Sequence, residues 1–252
     1  MGGELMSAIE AQIIPRLMLA HGAMQEQPAN DTGARLSLSA EEVARCADVA
    51  VQQDMNALMR QLEGLAAEGV PVTSLLLDLL APTARLLGDQ WLQDERSFFD
   101  VTVGLGMLQR AVAALGRQSM PPVGHRGLIV LLAAPGEQHT LGIHVLGEIL
   151  RNEGWAAHVE PGLDAGSLVD MVASEHVAMV GISVSHAGLI DSLSSLVHDV
   201  RRASLNPSLG VLVGGCAELE TSAAELGALY CASPADALSW LERNVPAPHV
   251  ET

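Results

Sequence analysis

Residues 127–142 read GLIVLLAAPGEQHTLG, and this stretch decides the fold. Its first seven residues are apolar without alternation, which is typical of a buried parallel strand, whereas Pro135 and Gly136 indicate a turn and helical spacing begins at Leu141. The same strand-then-helix pattern recurs downstream, with further strands predicted at 156–160, 177–184, 210–213 and 228–231. Five such pairs predict an α/β domain with a flavodoxin-like or Rossmann-like, doubly wound, parallel five-stranded sheet.

The chain before this domain is apolar at helical spacing and has almost no strand-like stretches. Short connections between apolar helices favour a helical bundle. Helices are predicted from the N-terminus to about His21, from Ser39 to about Glu68, from Pro71 to Trp91 and from near Asp94 to Leu115. We therefore expect an N-terminal helix and linker in residues 1–36, a helical bundle in 37–120 and the α/β domain in 126–246.

The composition excludes several classes of function. The chain has 252 residues, a net charge of −17 and six aromatic residues, and all of its basic residues are arginine. Without lysine there is no Schiff base and no phosphate-loop lysine, and an acidic surface repels nucleic-acid backbones. No run approaches the roughly 18 uninterrupted apolar residues of a membrane span, and the separated cysteines fit a reducing compartment. We expect a cytoplasmic protein that binds neither nucleic acid nor membrane directly.

The loop after the first strand carries Glu137 two residues before His139. Neutral imidazole is a good ligand for a transition metal, and a carboxylate that accepts the proton of its other ring nitrogen fixes the tautomer. We expect Gly142 to let the next helix approach closely. A lone histidine in a loop is also typical of a solvated or capping residue, so this loop alone leaves both interpretations of His139 open.

Two further loops carry small residues at strand ends. Ser183 and Ser185 lie at the end of the third strand, and the fourth strand ends in Gly214 and Gly215. Ser183 can offer a hydroxyl within the sheet layer, and the two glycines can admit a flat group against the backbone. Ligands of doubly wound sheets bind at the carboxyl ends of the strands, beside the switch in strand order. The joint appearance of the three loops therefore favours a ligand site there.

In this order the loops resemble the cobalamin-binding domain of methionine synthase, corrinoid shuttle proteins and cobalamin light sensors. The family pattern is Asp-x-His-x-x-Gly, then Ser-x-Leu or Ser-x-Thr, then Gly-Gly; here Glu137 replaces the aspartate and Ser185 replaces the leucine or threonine. The resemblance implies that His139 is the lower axial cobalt ligand and displaces the dimethylbenzimidazole of the cofactor. It also implies cofactor contacts from Glu137, Gln138, His139, Thr140, Gly142, Ser183, Ser185, Gly214 and Gly215.

The bundle of such proteins covers the upper face of the corrin. Adenosylcobalamin light sensors carry a Trp and, farther along, a Glu-His pair; here Trp91 matches, whereas Val101 and Thr102 occupy the positions of the pair. Trp91 and Phe98 are compatible both with cofactor contact and with ordinary bundle core. As cofactor contacts, their apolar rings predict a small upper ligand, such as water, hydroxide or methyl, rather than adenosyl. His21 is the candidate for a protein-derived upper metal ligand, and its position near the end of the first predicted helix is equally typical of an exposed residue that the helix dipole favours.

The bundle together with the phrase PGEQHTLG (135–142) resembles the AerR/PpaA type of cobalamin-binding, light-responsive antirepressors of purple bacteria. That resemblance implies a regulator rather than an enzyme, whose partner is a DNA-binding transcriptional repressor of photosynthesis genes. The alternative is a corrinoid protein that carries methyl groups between methyltransferases and uses the same His139 site. A sheet domain that binds no cofactor and only contacts proteins is a third interpretation.

Overall fold

A computed structural model describes residues 38–118 and 126–245, which form two compact units divided between residues 119 and 120. The predicted first helix and linker in residues 1–36, with His21, lie outside the described residues. The first unit contains the predicted bundle helices, and the second contains the predicted parallel sheet.

The first unit is built from amphipathic helices that bury leucine-rich faces. The helices are α1 (Ala40–Val51), α2 (Met55–Ala67), α3 (Val72–Ser74), a π-helical segment (Leu75–Leu80), α4 (Ala81–Leu92) and α5 (Phe98–Gln118). The π-helical segment joins α3 to α4 without a break. The fully buried leucines include Leu58, Leu62, Leu76, Leu79, Leu87 and Leu108. Their burial, at about 25 cal/mol per Å² of apolar surface, is the main stabilising contribution to the bundle.

The single helix predicted over residues 39–68 is wrong, because the structure divides it into α1 and α2. Gln53 adopts a left-handed φ of 61°, and the Asp54 carboxylate accepts a hydrogen bond of 2.8 Å from the N–H of Ala57. Asp54 therefore caps a new helix. The cap stabilises a restart at Met55 more than continuation through the polar Gln-Gln-Asp sequence.

The last bundle helix, α5, starts later than predicted and packs closely against α4. The Ser97 hydroxyl accepts a hydrogen bond of 3.1 Å from the N–H of Asp100, so the helix does not begin near Asp94. An added Cβ on Gly104 would lie 2.8 Å from a methyl carbon of Leu87, so this glycine permits the close packing. Among the described residues, α5 is also the one helix long and apolar enough to cross a membrane, a test that the core helix of a soluble bundle passes too.

The second unit is an all-parallel, five-stranded sheet with strand order β2-β1-β3-β4-β5. The strands are β1 (Leu128–Ala133), β2 (Ala156–Val159), β3 (Val177–Val184), β4 (Gly210–Gly215) and β5 (Leu229–Tyr230). The helices are α6 (Leu141–Asn152), α7 (Ala165–Ser174), α8 (Leu193–Ala203), α9 (Leu219–Ser222) and α10 (Pro234–Asn244), with a 3₁₀ helix (Ala187–Ser192) before α8. The predicted fold class, a helical bundle followed by a doubly wound parallel sheet, is confirmed.

The strand order reverses between β1 and β3, and this reversal determines which loops converge. In the sheet register Ala133 pairs with Ser183, and Ser183 pairs with Gly214. The carboxyl ends of β1, β3 and β4 therefore lie side by side at the switch point where ligands of this fold bind. One buried core cluster of the sheet contains Ile129, Leu131, Leu150, Met179 and Leu212.

Two helices of the second unit differ from the prediction. The helix expected from Leu189 is first a 3₁₀ helix and becomes α-helical only at α8, and the helix expected over 217–226 is α-helical only in α9. Gly227, at a φ of 71°, donates to the Ala224 carbonyl over 3.1 Å, and Ala228 donates to the Ala223 carbonyl over 2.9 Å. This pair of hydrogen bonds closes the segment before β5 as a Schellman-type turn.

Candidate functional site

The loop after β1 holds a buried carboxylate beside an accessible imidazole. Gly136 has a φ of 86°, which favours glycine, and the N–H of Glu137 donates to the Ala134 carbonyl over 2.8 Å. After this tight turn the Glu137 side chain is only 1% exposed, whereas the side chain of His139 is 30% exposed. The loop therefore protects the carboxylate and leaves the imidazole open to a ligand.

The Glu137 carboxylate accepts four hydrogen bonds from two loops. Its Oε1 atom accepts from the backbone N–H groups of Gln138 and His139 and from Nδ1 of His139, each at 2.7 Å. Its Oε2 atom accepts from the N–H of Ser185 at 2.6 Å. Because Ser185 directly follows β3, the carboxylate joins the loops after β1 and β3. The Ser185 hydroxyl oxygen also lies 3.1 Å from Nδ1 of His139.

These hydrogen bonds keep Glu137 ionised. Burial raises the pKa of this carboxyl, but the hydrogen bonds from His139 and Ser185 outweigh burial and lower its pKa from 4.5 to about 2. An ionised carboxylate only accepts hydrogen bonds, so in the neutral form of the imidazole the proton of His139 is on Nδ1. Nε2 then carries the lone pair, and it has no hydrogen-bond partner within residues 38–118 and 126–245. A carboxylate behind an imidazole with a free nitrogen is the arrangement of a metal-ligating histidine.

Ser183 and Gly214 are register neighbours at the ends of β3 and β4. Ser183 is half-buried, and its hydroxyl has no partner in the described part of the chain, so it is available to a ligand. An added Cβ on Gly214 would lie 2.6 Å from the Cys231 carbonyl oxygen, and one on Gly215, at a φ of 123°, would overlap the Val184 carbonyl. Both glycines are therefore required by the backbone packing of the protein itself.

The start of α6 carries the remaining loop residues. The prediction that Gly142 lets this helix approach closely is wrong, because an added Cβ would meet no atom within 4 Å. Gly142 is exposed in the first turn of α6, and the carbonyl of Thr140, the N-cap residue, accepts a hydrogen bond of 3.2 Å from His144. Gln138 is exposed, and its N–H donates to the carboxylate described above. The structure thus leaves open space one helical turn after His139.

In the first unit, Trp91 and Phe98 form an edge-to-face pair with ring centroids 6.5 Å apart and planes inclined by 63°. Phe98 is 43% exposed and Trp91 is half-buried, so neither belongs to the fully buried core of the bundle. Arg96 fixes the turn between them by donating to the side chains of Gln90, at 3.2 Å, and of Asp48. Contact of either ring with a cofactor stays a prediction.

The contact between Glu137 and Ser185 is not predicted from the sequence, which assigns the carboxylate to His139 alone. A glutamate side chain is one methylene longer than aspartate, and here its two oxygens serve the imidazole and the N–H of Ser185 together. The two departures from the family pattern fall on these same two residues. That coincidence is the feature of the sequence from which the contact could have been inferred.

Comparison with known proteins identifies the class of fold. No family model matches the chain. The structure is similar to that of a monomethylamine corrinoid protein of Methanosarcina barkeri, with a TM-score of 0.67 and 19% identity over 81% of this chain and 98% of that one. A cobalamin-binding protein of Desulfitobacterium hafniense aligns with a TM-score of 0.45 and 20% identity, again over 81% and 98%. The similarity to the Methanosarcina protein shows that the chain has the bundle-and-sheet fold of that corrinoid protein, as its motifs predict.

A curated relative of this chain is described by the position of its gene between two other genes. An uncharacterized 20.5 kDa protein of Rhodobacter capsulatus, from the bchF-crtJ intergenic region, is 28% identical over 155 residues. The match covers 57% of this chain and 80% of the relative. Since this is a photosynthesis gene region of a purple bacterium, the match is consistent with the resemblance to AerR/PpaA-type proteins.

Within the described residues there is no group of three or more His, Cys, Asp or Glu that could hold a metal ion.

Proposed function

We propose that the chain binds cobalamin through His139 and acts as a light-responsive regulator of transcription through a DNA-binding repressor of photosynthesis genes. The observation that carries the cobalamin assignment is the buried Glu137 carboxylate on Nδ1 of His139, with Nε2 left without a partner among the residues that the structure describes. When bound, cobalamin supplies a cobalt ion that a corrin ring already surrounds and whose upper ligand is exchangeable. The protein would then need to supply one nitrogen ligand for the lower face of the corrin, and this loop offers the imidazole of His139.

Each residue of the site has a separate part in the proposal. Glu137 retains the Nδ1 proton and so keeps Nε2 available as a ligand. Ser185 holds the carboxylate through its N–H. The hydroxyl of Ser183, which has no partner among the described residues, is available to the displaced nucleotide tail, and the missing side chain of Gly142 leaves open space in the first turn of α6. Gln138, Thr140, Gly214 and Gly215 complete the predicted cofactor contacts, and Trp91 and Phe98 stay the predicted contacts from the bundle.

The regulatory part of the proposal is supported by the curated relative from the bchF-crtJ region. A net charge of −17 opposes direct binding to DNA, so regulation would pass through a protein that itself binds DNA. In this function the chain senses and binds, and it performs no catalysis. We expect the hydroxo, aquo or methyl form of cobalamin rather than the adenosyl form.

The cobalamin assignment is tested by adding hydroxocobalamin to the purified protein and removing unbound cofactor by gel filtration. We expect a coloured protein, and we expect His139→Ala to abolish or severely weaken binding while the circular dichroism spectrum stays unchanged, because the side chain lies in a loop. His176→Ala, at an exposed histidine between α7 and β3, is the matched control and should bind normally. Unchanged binding and an unchanged visible spectrum in His139→Ala would contradict the proposal.

A second measurement identifies the lower ligand directly. After reduction to Co(II), the electron paramagnetic resonance spectrum reports the nuclear spin of the axial nitrogen. Protein grown with ¹⁵N-labelled histidine should change that splitting. An unchanged splitting would mean that dimethylbenzimidazole still occupies the lower position, and the role assigned to His139 would then be wrong.

The regulatory part requires a different experiment. The loaded protein is mixed with a DNA-binding repressor of photosynthesis genes and its operator DNA, and repressor binding is measured by gel shift in the dark and after illumination. We expect illumination to change repressor binding in the presence of this chain, and His139→Ala to remove the change. Identical shifts in all conditions would refute the regulatory function and leave the cobalamin assignment standing.

A methyl carrier is the second candidate function, favoured by the similarity in fold to a monomethylamine corrinoid protein. A carrier would use the same His139 site. The two functions are separated by incubating methylcobalamin-loaded protein with a methyltransferase and a thiol acceptor. Methyl transfer with turnover favours the carrier, whereas stable loading without transfer favours the regulator.

A further inference from the structure

An open cleft of about 450 Å³ lies beside α8 in the second unit. Ser194, His198, Arg201 and Arg202 line it from α8, and Glu225 and Gly227 line it from the turn before β5. None of these residues belongs to the candidate cofactor site. The cleft therefore lies outside the proposed cofactor site.

The guanidinium of Arg201 is held in place on one side of the cleft. Its Nε atom donates to the Gly227 carbonyl over 2.8 Å, and one of its terminal nitrogens donates to the Leu209 carbonyl over 3.3 Å. Two carbonyls on separate segments thus hold one guanidinium, which ties α8 to the turn before β5. The cleft is therefore a built feature of the fold rather than a gap between mobile side chains.

Arg202 differs from every other arginine of the second unit that the structure describes. Arg126, Arg151, Arg201 and Arg243 each donate to a backbone carbonyl. Arg202 is exposed and has no hydrogen bond or ion pair among the described residues, and the same is true of His198 one turn earlier. Residues four apart on a helix lie about 5–6 Å apart at Cβ, so the two side chains can engage one acidic group together.

The surroundings of the cleft favour a ligand that is both acidic and apolar. Glu225 is the one carboxylate lining the cleft, and it makes no ion pair with Arg202 within the described residues. The apolar residues that line the cleft are Val197 and Leu226, of which Leu226 is half-buried. An apolar lining beside an unpaired guanidinium is typical of a surface that docks another chain.

We propose that this cleft binds a segment of a partner protein that carries carboxylates and apolar side chains. The guanidinium of Arg202 is the anchor, because it is always charged and its planar donors match a carboxylate. The net charge of −17 does not prevent this binding, since charges beyond about 8 Å are largely screened at physiological salt.

The test uses the full chain without cofactor and a fluorescein-labelled peptide of Glu-Leu-Ala repeats, followed by anisotropy at physiological salt. We expect saturable binding that a Gln-Leu-Ala peptide lacks. The double variant His198→Gln/Arg202→Gln should weaken binding by about five- to tenfold. The matched control, His158→Gln/Arg243→Gln, makes the same chemical change at two exposed positions and should bind as the unaltered protein does.

Three outcomes would overturn the proposal. The first is no binding of the Glu-Leu-Ala peptide to the unaltered protein, and the second is equal weakening in the control variant. The third is citrate binding as tightly as the peptide, since the cleft would then take small anions and not a protein segment. Because no cobalamin is present, failure here is distinct from failure of the proposed function.

Discussion

Replacing Glu137 with glutamine keeps the size of the side chain and removes its charge. The carboxylate accepts hydrogen bonds from four donors on two loops. A glutamine amide has one accepting oxygen, so its NH₂ group must face either the N–H of Ser185 or the three donors grouped on Oε1. A donor that faces another donor in a buried site costs about 1–3 kcal/mol.

The lowered pKa of Glu137 gives an independent value for the contribution of this carboxylate to the stability of the folded state. A decrease from 4.5 to about 2 corresponds to about 3 kcal/mol of stabilisation of the folded state, at about 1.4 kcal/mol for each pKa unit. Because the folded-state pKa lies below the unfolded value, this stabilisation is fully present above about pH 4.5 and is lost as the pH falls towards 2. We therefore expect Glu137→Gln to lower the free energy of unfolding of the second unit by about 2–3 kcal/mol at pH 7 and to remove that acid dependence.

The assay is urea unfolding in a Trp91→Phe background, so that fluorescence comes only from Trp155 and Trp240 of the second unit. Glu242→Gln, at an exposed glutamate on α10, is the matched control and should change little. A difference below about 0.5 kcal/mol at pH 7, or an acid dependence equal to that of the control, would refute the role given to the buried carboxylate. With hydroxocobalamin, Glu137→Ala should also weaken binding by about 10- to 100-fold.

Further substitutions test four glycines of the two units and Ser185. Gly215→Ala should prevent stable folding of the second unit or markedly lower its melting temperature, whereas Gly142→Ala should leave the melting temperature unchanged or raise it slightly and should weaken hydroxocobalamin binding. Gly104→Ala should lower the free energy of unfolding of the bundle by about 1 kcal/mol, because the new Cβ meets a buried methyl; Gly106→Ala, in open space, should raise it by about 0.5–1 kcal/mol. Ser185→Ala should cost less than about 1 kcal/mol in urea unfolding, since the backbone donor remains; a larger loss would assign the main role to the hydroxyl.

The sheet could be predicted because its evidence is local. An uninterrupted apolar run such as 127–133 indicates a strand buried on both faces wherever it occurs, and the structure places β1 there. The break at Gln53 could not be predicted in this way, because apolar residues at helical spacing continue on both sides of it. Only the cap by Asp54 shows that two helices are the more stable arrangement.

Part of the candidate site could be predicted from the sequence, and part of it could not. The pairing of Glu137 with His139 spans two residues and follows from chemistry and the family motif. The contact of Glu137 with Ser185 spans 48 residues and depends on how β1 and β3 align. The surroundings of Gly142 and Gly215 could not be predicted from the sequence either, because what a Cβ would meet depends on neighbours that are distant in sequence.

The two-loop anchoring of Glu137 has a kinetic consequence. Donors from the loops after β1 and β3 already fix the carboxylate, and the carboxylate fixes the orientation of the imidazole ring. In the proposed function, binding of a corrinoid at Nε2 then requires no conformational search by this side chain. For a corrinoid that lacks dimethylbenzimidazole, the observed association rate should therefore rise in proportion to ligand concentration without reaching a plateau.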